Sequence, residues 1–234
     1  RLDAQIRIGG DAGASEVVVL RAYGEAASDA ESLVTGLLLP DAPVVAWWPG
    51  EAPENPSKSA IGRIASRRIT DTGAQKKPQD HLRLLAANYA AGDSDFAWTR
   101  LTLWRAQLAV VLDQAPYEPV TAVEMTGALD SPSVELMAAW LELKLKAPVK
   151  IVKKNRDKAG HGLFNVTLVR KSGNVTITRT VGDKAMIIAP GQPDREITLQ
   201  YRGLRECLAE DLRRLDADDM FGQVLKAGFK KRTK

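Results

Sequence analysis

The sequence predicts an α/β fold: a helix-flanked, mostly parallel sheet in the first half, followed by a smaller α+β domain with a β-meander and two C-terminal helices. Three observations lead there. Short apolar runs alternate with helical patterns up to Asp113, the order that builds parallel sheets. Beyond Pro119, two strongly alternating stretches flank Lys171-Ser172-Gly173, a hairpin signal. Two capped helical patterns then close the chain. With 234 residues, 44% hydrophobic and 26% charged, the chain can bury a sizeable core, which excludes disordered and collagen-like classes. No apolar run approaches eighteen residues, so no membrane-spanning helix is expected.

Leu2 to Ile8 alternates like a half-buried strand. Gly9 to Gly13 reads as a turn and does not match a dinucleotide fingerprint. Val17 to Leu20 fits a buried strand. Ser28 opens a capping box with Glu31, and its helix runs to about Leu39, before Pro40. Val44 to Trp48 reads as a second buried strand, and Asn55 caps a short helix with Pro56 at its first position. Arg67 to Thr70 is a short strand. Pro78 to Ala90 is a helix, and Asp95 to Asp113 is one longer helix. Gln114 to Pro119 has two prolines in six residues, which places a boundary there: residues 1–117 form one domain and 118–234 the other.

The second half opens as strand–helix–strand: Val120 to Ala128, a helix capped at Asp130 or Ser131 through Lys146, then Val149 to Lys153. Phe164 to Val169, Asn174 to Val181, Ala185 to Ala189 and Glu196 to Gln200 form the meander. Leu204 to Leu215 and Ala217 to Phe229, with Asp216 as cap, are the closing helices. Because the chain begins directly on a strand, a further segment is expected upstream.

Charge divides along the chain. It balances to −4 through Met125 and to +8 from Thr126, within a total of +4. Lys144, Lys146, Lys150, Lys153, Lys154, Arg156 and Lys158 are the densest basic stretch, and residues 230–234 are a basic tail. Such surface suits an acidic partner. Nucleic acid is not expected, because no aromatics interleave with the lysines and no nucleic-acid motif is present. A homo-oligomer is compatible with the sequence. One cysteine excludes an internal disulfide and fits a reducing, cytoplasmic setting. Cys207 lies on the Leu204–Cys207–Leu208 stripe and reads as a core thiol. Neither His81 nor His161 has an evident acid–base partner. With no Walker loop, nucleophile elbow or His-Glu-x-x-His motif, the sequence points away from an enzyme and calls for no cofactor or metal.

Two constellations remain. Trp47, Trp48, Trp98, Arg100, Trp104 and Arg105 combine the residue types that dominate interface hot spots, and we expect them to form a partner-binding surface. Arg67, Arg68, Asp71, Thr72 and Asp95 fall at the carboxyl edge of the expected parallel sheet, where ligands bind in such folds. They are a candidate pocket for a phosphosugar or nucleotide, the alternative reading.

LLLPDAPVVAWWPGEAPENPS (Leu37–Ser57), RIASRRITDT (Arg63–Thr72) and DFAWTRLTLWR (Asp95–Arg105) together resemble the glucose-6-phosphate dehydrogenase assembly proteins, the OpcA family of actinobacteria and cyanobacteria. The resemblance covers nearly the whole chain and suggests an actinobacterial source. It implies a non-catalytic allosteric activator that binds glucose-6-phosphate dehydrogenase and promotes its assembly or activation, supporting NADPH supply through the oxidative pentose phosphate pathway. Cyanobacterial relatives are associated with cysteine-based redox control. With Cys207 alone, an internal dithiol switch cannot form here.

Overall fold

The computed structural model describes residues 1–8, 16–27, 29–156 and 162–229. The turn expected at residues 9–13, the cap at Ser28, Lys158, His161 and the basic tail 230–234 lie outside these residues.

Strands β1 (Leu2–Arg7) and β2 (Val17–Ala22) pair antiparallel as a separate two-stranded ribbon. Val17 to Leu20 is therefore not a buried strand: Val17 and Val18 are exposed. An apolar run is buried only when a second layer covers it, and β1 supplies edge pairing but no layer. Helix α1 (Ala30–Thr35) is capped by Asp29, which accepts from the Ser32 amide, and it stops before Gly36 instead of reaching Leu39.

The parallel sheet of the first half has three short strands: β3 (Val45–Trp47), β4 (Arg67–Thr70) and β5 (Asp93–Asp95), in that order. Between them run a short turn of helix at Pro56–Lys58, capped by Asn55 as expected, then α2 (Ala60–Ile64) and α3 (Pro78–Asn88). β3 is an edge strand with only Ala46 fully buried, while β4 and β5 are buried throughout. The single helix expected from Asp95 to Asp113 is divided. Asp95 ends β5 and caps α4 (Phe96–Thr99), and α5 (Thr102–Leu112) follows after a break at Arg100 and Leu101.

The second half is a six-stranded sheet. β6 (Ala122–Ala128), α6 (Pro132–Leu145) and β7 (Val149–Lys154) form a parallel crossover. β8 (Leu163–Val169), β9 (Val175–Arg179), β10 (Lys184–Ile188) and β11 (Arg195–Thr198) continue as an antiparallel meander from β6. α7 (Leu204–Arg213) and α8 (Asp219–Gly228) close the chain, and α8 is capped by Asp218, not Asp216. α6 is buried on most sides, as a helix packed on two faces must be. α8 crosses it so closely that a side chain at Gly228 would meet the Ala139 Cβ at 2.3 Å.

One cluster of buried side chains runs from Leu82, Trp98, Trp104 and Leu108 into Met125, Val166, Leu136 and Phe221. A smaller cluster of Ile69, Phe96 and Cys207 sits beside it. Both combine residues from before and after the Gln114–Pro119 segment. Among the described residues, no helix is long and apolar enough to cross a membrane.

Candidate functional site

β4 places Arg67, Arg68, Ile69 and Thr70 in the interior. Buried guanidinium groups require partners, and neighbouring elements supply them. Arg67 donates to Asp211 of α7 at 2.5 Å and to the Asp216 carbonyl at 2.9 Å. Arg68 donates to Asp93 at 2.5 Å, to the Ala65 carbonyl at 2.7 Å and to the Ala91 carbonyl. Asp95 accepts from the Thr70 hydroxyl at 2.6 Å, from the Thr72 amide and hydroxyl at 2.9 and 2.8 Å, and from the Ala97 amide at 2.8 Å. Burial, reinforced by the Asp71 charge, pushes the Asp95 carboxyl up to about 6 against these hydrogen bonds.

Asp71 and Arg100 form a fork-to-fork pair at 2.8 and 2.6 Å. Burial works against the Arg100 cation, but the Asp71 hydrogen bonds and charge hold its pKa above the ordinary value. Of the five residues expected at the sheet edge, Asp71, Thr72 and Asp95 lie at the carboxyl ends of β4 and β5, where Thr72 donates to Asp95, whereas Arg67 and Arg68 stand at the amino end of β4, bonded to the α7 side and to the segment before β5 respectively. Asp211 accepts from Arg67, Ser94 and Thr99. The sequence reading missed it, although a signal exists: Asp211 continues the Leu204–Cys207–Leu208 stripe of α7, and a carboxylate on an apolar stripe needs a buried partner.

The six aromatic and arginine residues do not form one face. Trp98 and Trp104 are 2% and 3% exposed, inside the core. The Trp98 indole donates to Asp218 at 2.8 Å and stacks on Phe221 at 5.7 Å. Arg105 lies over the Trp98 ring, 3.5 Å from its centroid, and burial lowers its pKa to about 10. Trp47 remains 36% exposed and leans on Phe96 at 6.0 Å. Trp48 is half-buried.

Beside Asp71 and Arg100 a cavity of about 280 Å³ opens. It lies at the carboxyl ends of both parallel units: Asp71 follows β4, Ser131 and Ser133 begin α6 after β6, and Arg156 follows β7. Arg179 reaches it from the end of β9, and Arg202 from the loop before α7. Arg156 pairs with Asp130 at 2.9 Å and Arg202 with Glu210. Arg179 donates to the Leu199 carbonyl at 2.7 Å.

Two family models match the chain in succession, and both describe a glucose-6-phosphate dehydrogenase subunit. The model of its N-terminal domain matches residues 1–87, and the model of its C-terminal domain matches residues 91–225. The chain belongs to the OpcA family of glucose-6-phosphate dehydrogenase assembly proteins. The OpcA models meet at the end of α3, so β5, α4 and α5 fall with the C-terminal match. No curated protein matches the chain. Among solved structures, a 3-ketoreductase from Actinomadura kijaniata is similar at 10% identity and a TM-score of 0.39, over 72% of this chain and 64% of that one. A UDP-N-acetylglucosamine 3-dehydrogenase from Acidithiobacillus ferrooxidans follows at 11% and 0.37, over 89% and 87%. An inositol dehydrogenase homologue from Azotobacter vinelandii stands at 11% and 0.35, over 82% and 66%. The chain therefore spans less than two thirds of the length of the first and third of these proteins. At such values the similarities carry no functional weight.

Proposed function

We propose that this chain is a non-catalytic protein that binds glucose-6-phosphate dehydrogenase and promotes its assembly or activation, and so supports NADPH supply through the oxidative pentose phosphate pathway. The observation that carries the reading is the match of both halves to family models of a dehydrogenase subunit. The internal bonding of Arg67, Arg68, Thr72 and Asp95 also favours a structural role for those residues over catalysis.

The contact surface in this reading is the β1–β2 ribbon together with Trp47. Cross-strand register places Leu2 opposite Ala22, Ala4 opposite Leu20 and Ile6 opposite Val18, all on one face because strand side chains alternate. Ile6 is 64% exposed and Leu2 44%. A contiguous exposed apolar face of this kind marks an interaction site, and an isolated two-stranded ribbon gains stability by docking. The basic second half adds electrostatic steering toward an acidic enzyme face. A partner that binds the assembled or active state more tightly shifts the population by the difference in binding free energy, about 1.4 kcal/mol per tenfold.

Size-exclusion chromatography with light scattering tests this on the chain mixed with the dehydrogenase of the same organism, with activity assayed across fractions. Co-elution with changed activity is expected, weakened by Ile6→Ser and Trp47→Ala. Separate elution with unchanged activity would overturn the reading.

A further inference from the structure

We propose that the cavity beside Asp71 and Arg100 binds a small phosphomonoester, a ligand carrying one dianionic phosphoryl group. The inference goes beyond partner binding and does not depend on it.

Four guanidinium groups, those of Arg100, Arg156, Arg179 and Arg202, line this one cavity, and among the described residues Asp71 is the one carboxylate that lines it. They come from four places far apart in sequence, so their convergence is a product of the fold. Each is held by a bond described above, and a guanidinium has five donors in a rigid fork. These partners fix where each fork sits on the cavity wall. Arg100 gives one N–H of each Nη to Asp71, and each Nη carries a second N–H.

The first turn of α6 adds to this arrangement. α6 is fourteen residues long, and its N-cap Ser131 makes no side-chain capping bond. Helix amides and the positive end of the dipole there favour an anion. The backbone at Gly162 approaches Ser131 so closely that a Cβ would meet its Oγ at 2.2 Å, which keeps this corner of the cavity narrow. The position, outside the carboxyl ends of parallel strands, is where ligands bind in open α/β sheets.

The chemistry selects phosphate over a simple carboxylate. Guanidinium forks match phosphoryl oxygens, and three such oxygens can engage donors arriving from several directions. A volume of about 280 Å³ lies at the small end of ligand sites. It suits a phosphoryl group on a short carbon skeleton, with Trp104, Leu101 and Leu163 as the apolar lining.

The test is isothermal titration of the full chain in phosphate-free buffer with glycerol 3-phosphate, a hexose 6-phosphate and inorganic phosphate, using the free hexose and succinate as controls. Saturable one-to-one binding of a phosphomonoester is expected, at least about tenfold tighter than inorganic phosphate or succinate. Arg179→Gln and Arg156→Gln should each weaken it about tenfold. Arg100→Lys, which keeps the charge beside Asp71 but removes the fork, should weaken it as well if either of those variants folds poorly. Lys150→Gln, an exposed lysine outside the cavity lining, should leave it unchanged. No saturable binding at millimolar concentration overturns the proposal. Equal binding of inorganic phosphate or succinate, or equal weakening by Lys150→Gln, also overturns it.

Discussion

Arg67 and Asp211, 144 positions apart, share a 2.5 Å charge-assisted hydrogen bond with both side chains only 5% exposed. The pair fastens the middle strand of the three-stranded sheet to α7. Removing one member leaves the other charged and buried, so Asp211→Ala is expected to destabilise by about 3–5 kcal/mol. Replacing both, as Arg67→Met with Asp211→Leu, should recover part of that loss, because an apolar pair of similar volume removes the unpaired charge while the Ser94 and Thr99 hydroxyls still lose their acceptor. Urea unfolding of the three proteins measures both effects.

The Asp95 carboxyl predicts an unusual pH dependence. Its pKa is raised from 3.8 to about 6 in the folded protein, chiefly by burial. Between these values the native state holds a proton that the unfolded chain has released. The contribution of this group to stability therefore grows as pH falls from 7 through 6 toward 4, and is lost as pH rises through 6. Its magnitude is on the order of 3 kcal/mol. Asp95→Asn removes the titrating proton, so the Tm difference, native minus variant, should increase between pH 7 and pH 5. A difference independent of pH would show that Asp95 titrates normally.

Two tryptophans of the same sequence constellation should behave in opposite ways. Trp98 is buried against Phe221 and Arg105, so Trp98→Ala is expected to cost about 3–5 kcal/mol, read as a large drop in Tm. Trp47 is an edge residue, and Trp47→Ala should cost about 1–2 kcal/mol while reducing co-elution with the dehydrogenase. If Trp47→Ala leaves complex formation intact, the contact lies elsewhere on the surface.

The Cys207 thiol should be inert in the native protein. Burial pushes its pKa up to about 11, only partly opposed by the Arg100 charge, and the thiolate is the reactive form. Reaction with a chromogenic disulfide at pH 8 should be absent before unfolding and reach one equivalent in denaturant. Rapid native labelling would show that α7 opens locally.

Much of this architecture is legible from local pattern. β4 spans Arg67–Thr70 as read from the sequence, because Asp71-Thr72-Gly73 bounds it with turn residues. α6 begins at Pro132 and ends at Leu145 because proline suits a first helical position and Lys146 takes a left-handed conformation there. The crossover, hairpin and closing helices follow equally from periodicity. β5 is not legible in this way, because Asp93-Ser94-Asp95 has no apolar alternation. It is a strand because β4 pairs with it and because Arg68 and the Thr70 and Thr72 hydroxyls satisfy its carboxylates. The candidate site was legible in composition but not in arrangement. Asp71, Thr72 and Asp95 lie at the carboxyl ends of β4 and β5 while Arg67 and Arg68 stand at the amino end of β4, and whether such residues face a ligand or the protein interior depends on partners such as Asp211.

Outside β5 and the break between α4 and α5, element type and order, like family membership, rest on short-range signals: periodicity, caps, turn residues and contiguous motif strings. Burial does not. Val17–Leu20 and Trp98 look equally apolar along the chain, yet one lies on an open ribbon and the other in the core. The difference is whether a second layer, from residues more than a hundred positions away in the case of Trp98 and Phe221, packs over it. Long-range packing also brings four arginines around one cavity, because the break between α4 and α5, the end of β7, the end of β9 and the loop before α7 meet there only once both sheets are assembled.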